Sequence, residues 1–129
     1  MNKKSVMIID DDVGFLEELS EMLHLNGYTV YSAPGGEIAM EILKKNIPDI
    51  ILLDLKMEHI TGFQVADRLR RDKKTAGIPI LAITGYFTKK EHQVPMSICG
   101  IKKCLIKPLN SATLINEIET ELKKSAARS

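Results

Sequence analysis

In residues 6–12, VMIIDDD, four apolar side chains are followed directly by three aspartates. An unbroken, isoleucine-rich run of this length is typical of a β-strand covered on both faces, as in a parallel sheet. Similar runs lie at residues 50–53 (IILL) and 80–83 (ILAI), and a shorter one at 104–106 (CLI). The more mixed stretch 28–32 (YTVYS) fits an edge strand. The sequence therefore predicts five strands.

The segments between these predicted strands have apolar residues at helical spacing. In the clearest case Leu16, Leu19 and Leu23 lie on one stripe, and Asp12 and Gly27 are suited to cap its start and its end. Four more helices are predicted: after Gly36, after Gly62, over about Thr88–Ile98, and from a cap at Asn110 or Ser111 onward. Strands that alternate with helices predict an α/β domain of three layers around a parallel sheet.

Length and composition are those of one globular domain. The chain has 129 residues, 44% hydrophobic and 27% charged, which suits a single core. We expect the domain to occupy residues 1–125 and the tail 126–129 to be frayed. The formal net charge of +1 gives no overall field for nucleic acid or an anionic membrane, so neither is expected as a direct partner. No apolar run nears the roughly 20 residues that span a bilayer, which predicts a cytoplasmic protein.

Chemically functional side chains follow four of the predicted strands. Residues 10–12 (DDD) end the first strand, Asp54 the third, Thr84 the fourth and Lys107-Pro108 the fifth. In open α/β sheets function collects at the carboxyl ends of the strands. We therefore expect these carboxylates, the hydroxyl and the ammonium to converge at one edge, although each alone would be read as a cap or a turn residue.

Such a cluster points to phosphoryl transfer. Neighbouring carboxylates repel one another, and Mg²⁺, a hard ion that prefers oxygen ligands, would relieve that repulsion. Asp54 can then act as a nucleophile that forms an acyl phosphate, while the metal and Lys107 neutralise the developing charge. Thr84 can donate its hydroxyl to the attached phosphate. Asp12 is interpreted as a helix cap rather than as a ligand.

On these motifs the chain resembles the receiver domain of two-component response regulators, from about Lys4 to Lys124. The matching stretches are residues 8–12 (IIDDD), 52–57 (LLDLKM) with Gly62, 83–85 (ITG) and 105–108 (LIKP). The resemblance implies a flavodoxin-like, doubly wound sheet of order 2-1-3-4-5 flanked by five helices. It also implies a phosphoacceptor in a two-component or phosphorelay system rather than an enzyme, with at most self-phosphorylation from small donors and slow autodephosphorylation.

The resemblance assigns roles to individual residues. Asp54 would be the phosphoacceptor, and Asp10 and Asp11 would bind Mg²⁺ together with Asp54 and the backbone carbonyl of Lys56. Thr84 and Lys107 would contact the phosphoryl group. The phosphodonor would be a histidine kinase or a histidine phosphotransfer protein. Because the chain ends just after the last predicted helix, output is expected through contact with a downstream protein, on the face formed by the fourth helix, the fifth strand and the fifth helix.

The chain departs from the usual receiver pattern at three positions. Glu58 stands where receivers usually have proline, four residues past the phosphoacceptor, and Gly85 stands where alanine is common. Cys104 occupies the switch position, which usually holds an aromatic residue on the fifth strand. The usual coupling between the threonine hydroxyl and that aromatic is therefore not expected in its ordinary form. Glu58 is expected to add charge beside the site and to loosen its loop.

Two further positions are expected to tune the lifetime of the phosphoryl group. Lys56 lies two residues past Asp54, and Tyr86 lies two residues past Thr84. In the family these positions flank the path of the hydrolytic water. Long or bulky side chains there predict slow hydrolysis and a phosphoryl group suited to onward transfer.

Alternative interpretations remain open at this stage. The chain can be a receiver-like binding module that is never phosphorylated, or a receiver excised from a larger regulator or hybrid kinase. A small phosphohydrolase with an aspartate nucleophile usually has a second aspartate two residues later, where this chain has Lys56.

The remaining residues with possible chemistry are assigned structural roles. Cys99 and Cys104 lack the spacing of a zinc site or a disulfide framework. The basic cluster of residues 68–74 is interpreted as a solvated face at a helix end. The histidines lack ligand spacing, and only His59 is expected near the site.

Overall fold

The computed structural model describes residues 3–57, 61–85 and 100–128. These residues form five strands and four helices in alternating order, apart from β4 and β5, which follow one another among the described residues. The elements are β1 (Ser5–Ile9), α1 (Val13–Leu25), β2 (Thr29–Ala33), α2 (Gly36–Leu43), β3 (Ile50–Asp54), α3 (Gly62–Arg71), β4 (Ile80–Thr84), β5 (Ile101–Ile106) and α4 (Ser111–Arg128).

The strands form one parallel sheet of order β2-β1-β3-β4-β5, which is the order that the resemblance implied. Strands β3 and β4 are buried at every position, which explains their unbroken apolar sequence. Helices α2 and α3 pack on one face of the sheet and α1 and α4 on the other, each over its own apolar cluster. The predicted three-layer, flavodoxin-like architecture is therefore confirmed.

Strand β5 begins earlier than its apolar run indicated. The sequence predicted residues 104–106, whereas the strand starts at Ile101 and includes Lys102 and Lys103. Two lysines interrupt the apolar pattern, but at the edge of a sheet charged side chains reach solvent and hinder pairing with other chains. The register shifts between Ile80 and Leu81, where the ladder with β5 is irregular.

Local side-chain hydrogen bonds set the helix ends. Asp12 accepts from the backbone N–H of Phe15 at 3.1 Å, so it caps α1 as predicted. Gly27 follows that helix with a φ of 91°, a left-handed conformation that favours glycine. Of the two caps considered for α4, Asn110 is the residue that accepts a hydrogen bond, from the N–H of Thr113 at 3.1 Å.

Some predictions fall outside the described residues, and one boundary differs. The predicted helix over Thr88–Ile98 and residues Glu58, His59, Tyr86 and Cys99 lie where the structure gives no description. The tail expected to fray from residue 126 instead continues α4 to Arg128. Alanine is the strongest helix former, and residues 126 and 127 are both alanine. Among the described residues, no helix is long and apolar enough to cross a membrane.

The basic cluster at the end of α3 is only partly a solvated face. The guanidinium of Arg70 donates to the carbonyl of Ala76, to that of Ile78 at 3.1 Å and to that of Gly100 at 3.0 Å. It thereby joins α3 to the loop before β4 and to the start of β5. The interpretation of this residue as solvated was wrong because its backbone acceptors lie in later loops. Arg68 and Arg71 are exposed, as predicted.

Helix α3 begins against the end of β3. A Cβ built at Gly62 would lie 2.3 Å from the carbonyl oxygen of Asp54 and 2.7 Å from the Cα of Leu55. The N–H of Gly62 also donates to the carbonyl of Leu55 at 3.1 Å. Thr61 and Gln64 form a capping box that holds this helix start in place. The backbone at Asp54 thus depends on the absence of a side chain at residue 62.

We predict that Gly62→Ala destabilises the fold by about 1–3 kcal/mol, because the added methyl group meets backbone atoms that must move. Urea unfolding at constant pH measures this loss. Gly77→Ala is the matched control, since a Cβ at Gly77 has nothing within 4 Å and its φ is not in the left-handed region. Equal unfolding midpoints for the two variants would contradict the close approach of α3 to β3.

Candidate functional site: an acidic pocket at the sheet edge

The pairing of β1 with β3 brings two aspartates side by side. Ile9 lies opposite Leu53 in the ladder, and the next residues along the two strands are Asp10 and Asp54. Both carboxylates are buried, with Asp10 fully inaccessible and Asp54 4% exposed. The sequence prediction that these residues converge is confirmed by this arrangement.

Asp10 is held from two directions. One of its oxygens accepts a hydrogen bond from the Nζ of Lys107 at 2.7 Å, and the other accepts from the backbone N–H of Asp12 at 2.9 Å. Charge-assisted hydrogen bonds of this kind satisfy a carboxylate that has no access to water. The strand-end lysine predicted from the sequence therefore reaches the acidic cluster directly.

The ionised form of Asp54 is disfavoured by its surroundings. Burial, followed by the nearby charge of Asp10, raises its pKa from 3.8 to about 6. The N–H of Lys56, which donates to Asp54 at 3.2 Å, and the charge of Lys107 oppose the increase. A carboxylate held in this way favours any bound group that neutralises it.

Three carboxylates form a compact set of oxygen donors. Ligand atoms of Asp10, Asp11 and Asp54 all lie within 4.8 Å of one another, and Asp11 is exposed where the other two are buried. Hard oxygen donors in this number suit Mg²⁺, which keeps several waters and takes only one or two carboxylates directly. The donor set therefore fits the predicted ion, with Asp11 on the open side of the pocket.

Of the other predicted site residues that the structure describes, Thr84 and Cys104 lie on β4 and β5. Thr84 is buried at the end of β4, one position beyond Ile83, the residue that pairs with Asp54. The carbonyl of Thr84 accepts from the backbone N–H of Lys107 at 2.8 Å, which ties the ends of β4 and β5 together. Cys104 is half-buried and packs against the cluster of apolar residues beneath α2 and α3.

One neighbour of the site was missed in the sequence. The ring of Phe15, on α1, lies with its centroid 4.1 Å from the Nζ of Lys107. In the sequence Phe15 stands directly before Leu16, the first residue of the apolar stripe of its helix. No short-range signal relates a residue in the first helix to one that follows the last strand, so the contact appears only in the folded chain.

We predict that metal-free protein loses stability relative to Asp54→Asn as the pH rises from about 4 through 6. Because the pKa of Asp54 is raised in the folded state, folding favours the protonated form of this carboxyl group. The stability that the protonated form contributes is complete below pH 3.8 and is lost as the pH rises past about 6. The difference should reach about 3 kcal/mol at pH 8, at 1.36 kcal/mol per pKa unit. Chemical unfolding of both proteins in chelator across this range measures it, and a difference independent of pH would contradict it.

Comparison with known proteins identifies the family to which the chain belongs. The family model described as the response regulator receiver domain matches residues 6–119. The chain is 29% identical to Protein PilH of Pseudomonas aeruginosa over 119 residues, which are 91% of this chain and 96% of PilH. It is 31% identical over 120 residues to the DNA-binding dual master transcriptional regulator RpaA of a Synechocystis species, covering 93% of this chain.

The lengths of these relatives differ. The chain spans 49% of RpaA and 50% of a second curated relative, but nearly all of PilH.

Among solved structures, the chemotaxis protein CheY4 of Vibrio cholerae is 28% identical, with a TM-score of 0.88, and the match covers 92% of this chain and 98% of that protein. With the sheet order, the strand-end carboxylates and this family match together, the chain belongs to the response regulator receiver domain family.

Proposed function

We propose that the chain accepts a phosphoryl group on Asp54 from a phosphohistidine of a partner protein. The main support for the proposal is the arrangement of three carboxylates. Ligand oxygens of buried Asp54, buried Asp10 and exposed Asp11 lie within 4.8 Å of one another, and the Nζ of Lys107 donates a hydrogen bond to Asp10 at 2.7 Å. Membership of the receiver family supports the same assignment. The donor is a histidine kinase or a histidine phosphotransfer protein of a two-component or phosphorelay system.

The reaction forms one bond and breaks one bond. A carboxylate oxygen of Asp54 attacks phosphorus as the P–N bond to the donor imidazole breaks, and the bonding electron pair returns to that nitrogen. The product is an acyl phosphate on Asp54 and a free histidine on the donor. Attack requires the ionised carboxylate, and with a pKa of about 6 Asp54 is largely ionised near pH 7.

The charges of the site favour this transfer. Mg²⁺, held by Asp10, Asp11, Asp54 and the backbone carbonyl of Lys56, would neutralise charge on the phosphoryl oxygens when bound. Lys107 holds a positive charge beside the cluster and can contact the transferred group. Thr84, at the end of the neighbouring strand, is the hydroxyl donor in the proposal.

Output is proposed to occur through contact with a downstream protein. Phosphorylation adds charge and strong acceptor oxygens, so it shifts the populations of two conformations that a partner distinguishes. The surface proposed for this contact includes β5 and α4, together with the predicted helix over residues 88–98. With Cys104 at the switch position, the conformational change relies on a residue smaller than an aromatic. The net charge of +1 supports a protein partner rather than nucleic acid.

We predict that a small phosphodonor with Mg²⁺ adds one phosphate to the wild-type protein and none to Asp54→Asn, as measured by intact mass. Asp12→Asn is the matched control, because it makes the same chemical change in the third aspartate, which serves as a helix cap. Asparagine also caps helices well, so this variant should react like the wild type. Lys107→Met should slow the reaction by about a hundredfold, the usual effect of losing one electrostatic contact to a transition state.

Two other results of phosphorylation and turnover assays would favour the alternative functions. Failure of the wild type to gain phosphate at saturating donor and Mg²⁺ would favour a binding module that is never phosphorylated. Steady turnover of a phosphomonoester would favour a phosphohydrolase instead.

We further predict that Lys56→Ala shortens the lifetime of the phosphorylated protein by about two- to fivefold, because a long side chain beside Asp54 shields the acyl phosphate from water. Loss of phosphate after removal of the donor measures this rate. Lys45→Ala, an exposed lysine after α2, is the control and should leave the lifetime unchanged. Tyr86, the other proposed tuning residue, is tested by the same assay with Tyr86→Ala. Unchanged lifetimes in both test variants would refute the tuning role.

A further inference from the structure

The ammonium of Lys107 lies between an anion and an aromatic ring. Its Nζ is 2.7 Å from an oxygen of Asp10 and 4.1 Å from the ring centroid of Phe15. The lysine side chain is 21% exposed, so little water competes with these two contacts.

Phe15 reaches this position because of the way α1 starts. Asp12 caps the helix through the N–H of Phe15, so the first turn is fixed directly after the acidic stretch. The same stretch carries Asp10, the other partner of Lys107. The anion and the ring that contact the ammonium are therefore held by one short segment.

We propose that Phe15 is a positioning residue for Lys107, whose ring holds the ammonium at the acidic pocket through a cation–π contact. This inference rests on the proposed function, because it gives Phe15 a role in phosphorylation of Asp54. A cation over the face of an aromatic ring is attracted by the negative charge of that face, most strongly where water is excluded.

The length of the Lys107 side chain gives a contact of this kind a role. A cleft of about 430 Å³ lies between α1 and the segment after β5, and Lys107 lines it together with Phe15, Leu19, Met22 and Leu109. A flexible four-carbon side chain that borders a cleft has several accessible rotamers, although only a small part of it is exposed. Any cation bound by Asp10 also competes with Lys107 for that carboxylate. The ring is then the contact that keeps the ammonium near Asp54.

An ordinary packing role for Phe15 is the competing explanation, since the residue also packs against the apolar cluster beneath α1 and α4. The two roles differ in their dependence on the ring. Packing depends on volume and shape, whereas attraction of a cation depends on the charge distribution over the ring face. Variants that change one property and keep the other therefore separate the two explanations.

The first experiment observes the contact without any phosphorylation. The methylene protons next to Nζ of Lys107, assigned with Lys107→Met, should resonate upfield of those of other lysines because the ring shields them. Phe15→Tyr should keep this shift and Phe15→Leu should abolish it. Met22→Leu, which lines the same cleft, is the control and should keep it. A wild-type signal at the ordinary lysine position would overturn the proposal.

The second experiment measures the rate of phosphorylation of Asp54 by a small phosphodonor at saturating Mg²⁺. Phe15→Leu should lower the rate about three- to tenfold, the range expected for loss of a partly buried cation–π contact. A trifluorinated phenylalanine at position 15 keeps the shape and weakens the charge of the ring face, so its rate should fall between leucine and phenylalanine. Phe15→Tyr and Met22→Leu should react like the wild type.

The outcomes separate this inference from the proposed function. If wild-type protein is phosphorylated on Asp54 and Phe15→Leu reacts at the same rate, the role of Phe15 is refuted while the proposed function stands. If the trifluorinated and wild-type proteins react equally while leucine is slow, Phe15 acts through packing and the inference is also refuted. If wild-type protein is not phosphorylated, the proposed function fails, and the positioning role fails with it even where the NMR shift is present.

Discussion

The parallel pairing of β1 with β3 is the constraint on which the site depends. Ile9 lies opposite Leu53, so Asp10 and Asp54 leave the two strands next to each other. The two carboxylates repel one another, and their proximity is therefore enforced by the apolar side chains behind them. A shift of one residue would turn every side chain of a strand to the opposite face, and both faces are packed.

The stability of the core exceeds the electrostatic cost of the cluster. Holding Asp54 ionised with a pKa near 6 costs about 3 kcal/mol, whereas burial of one large apolar side chain contributes about 1.5–3 kcal/mol. Several fully buried residues stand directly behind the carboxylates in β1 and β3. The fold can therefore keep Asp54 buried beside a second carboxylate at the strand ends, and this desolvated negative charge is what makes the pocket receptive to a cation.

Many features followed from local sequence because their causes are local. Unbroken apolar runs predicted the buried strands, and Asp12 was identified as a cap from its position before a helical stripe. Predictions were less accurate where the cause lies far away in the chain. The two lysines of β5 obscured the start of that strand, and Arg70 was interpreted as solvated although it binds the carbonyls of later loops. Neighbouring residues do not reveal that β5 lies at the edge of the sheet, nor which carbonyls accept hydrogen bonds from Arg70.

Local sequence was sufficient to predict the element order, the parallel sheet and the set of residues at the strand ends, because strand periodicity and helix capping act over a few residues. It also carried the motifs of the family, Asp54 among them. The distances at the site became visible only in the folded chain. They include the ion pair of Lys107 with Asp10, the ring of Phe15 against that ammonium, and the approach of Gly62 to the backbone of Asp54. These contacts join segments distant in sequence, and packing of the layers around the sheet is what brings them together.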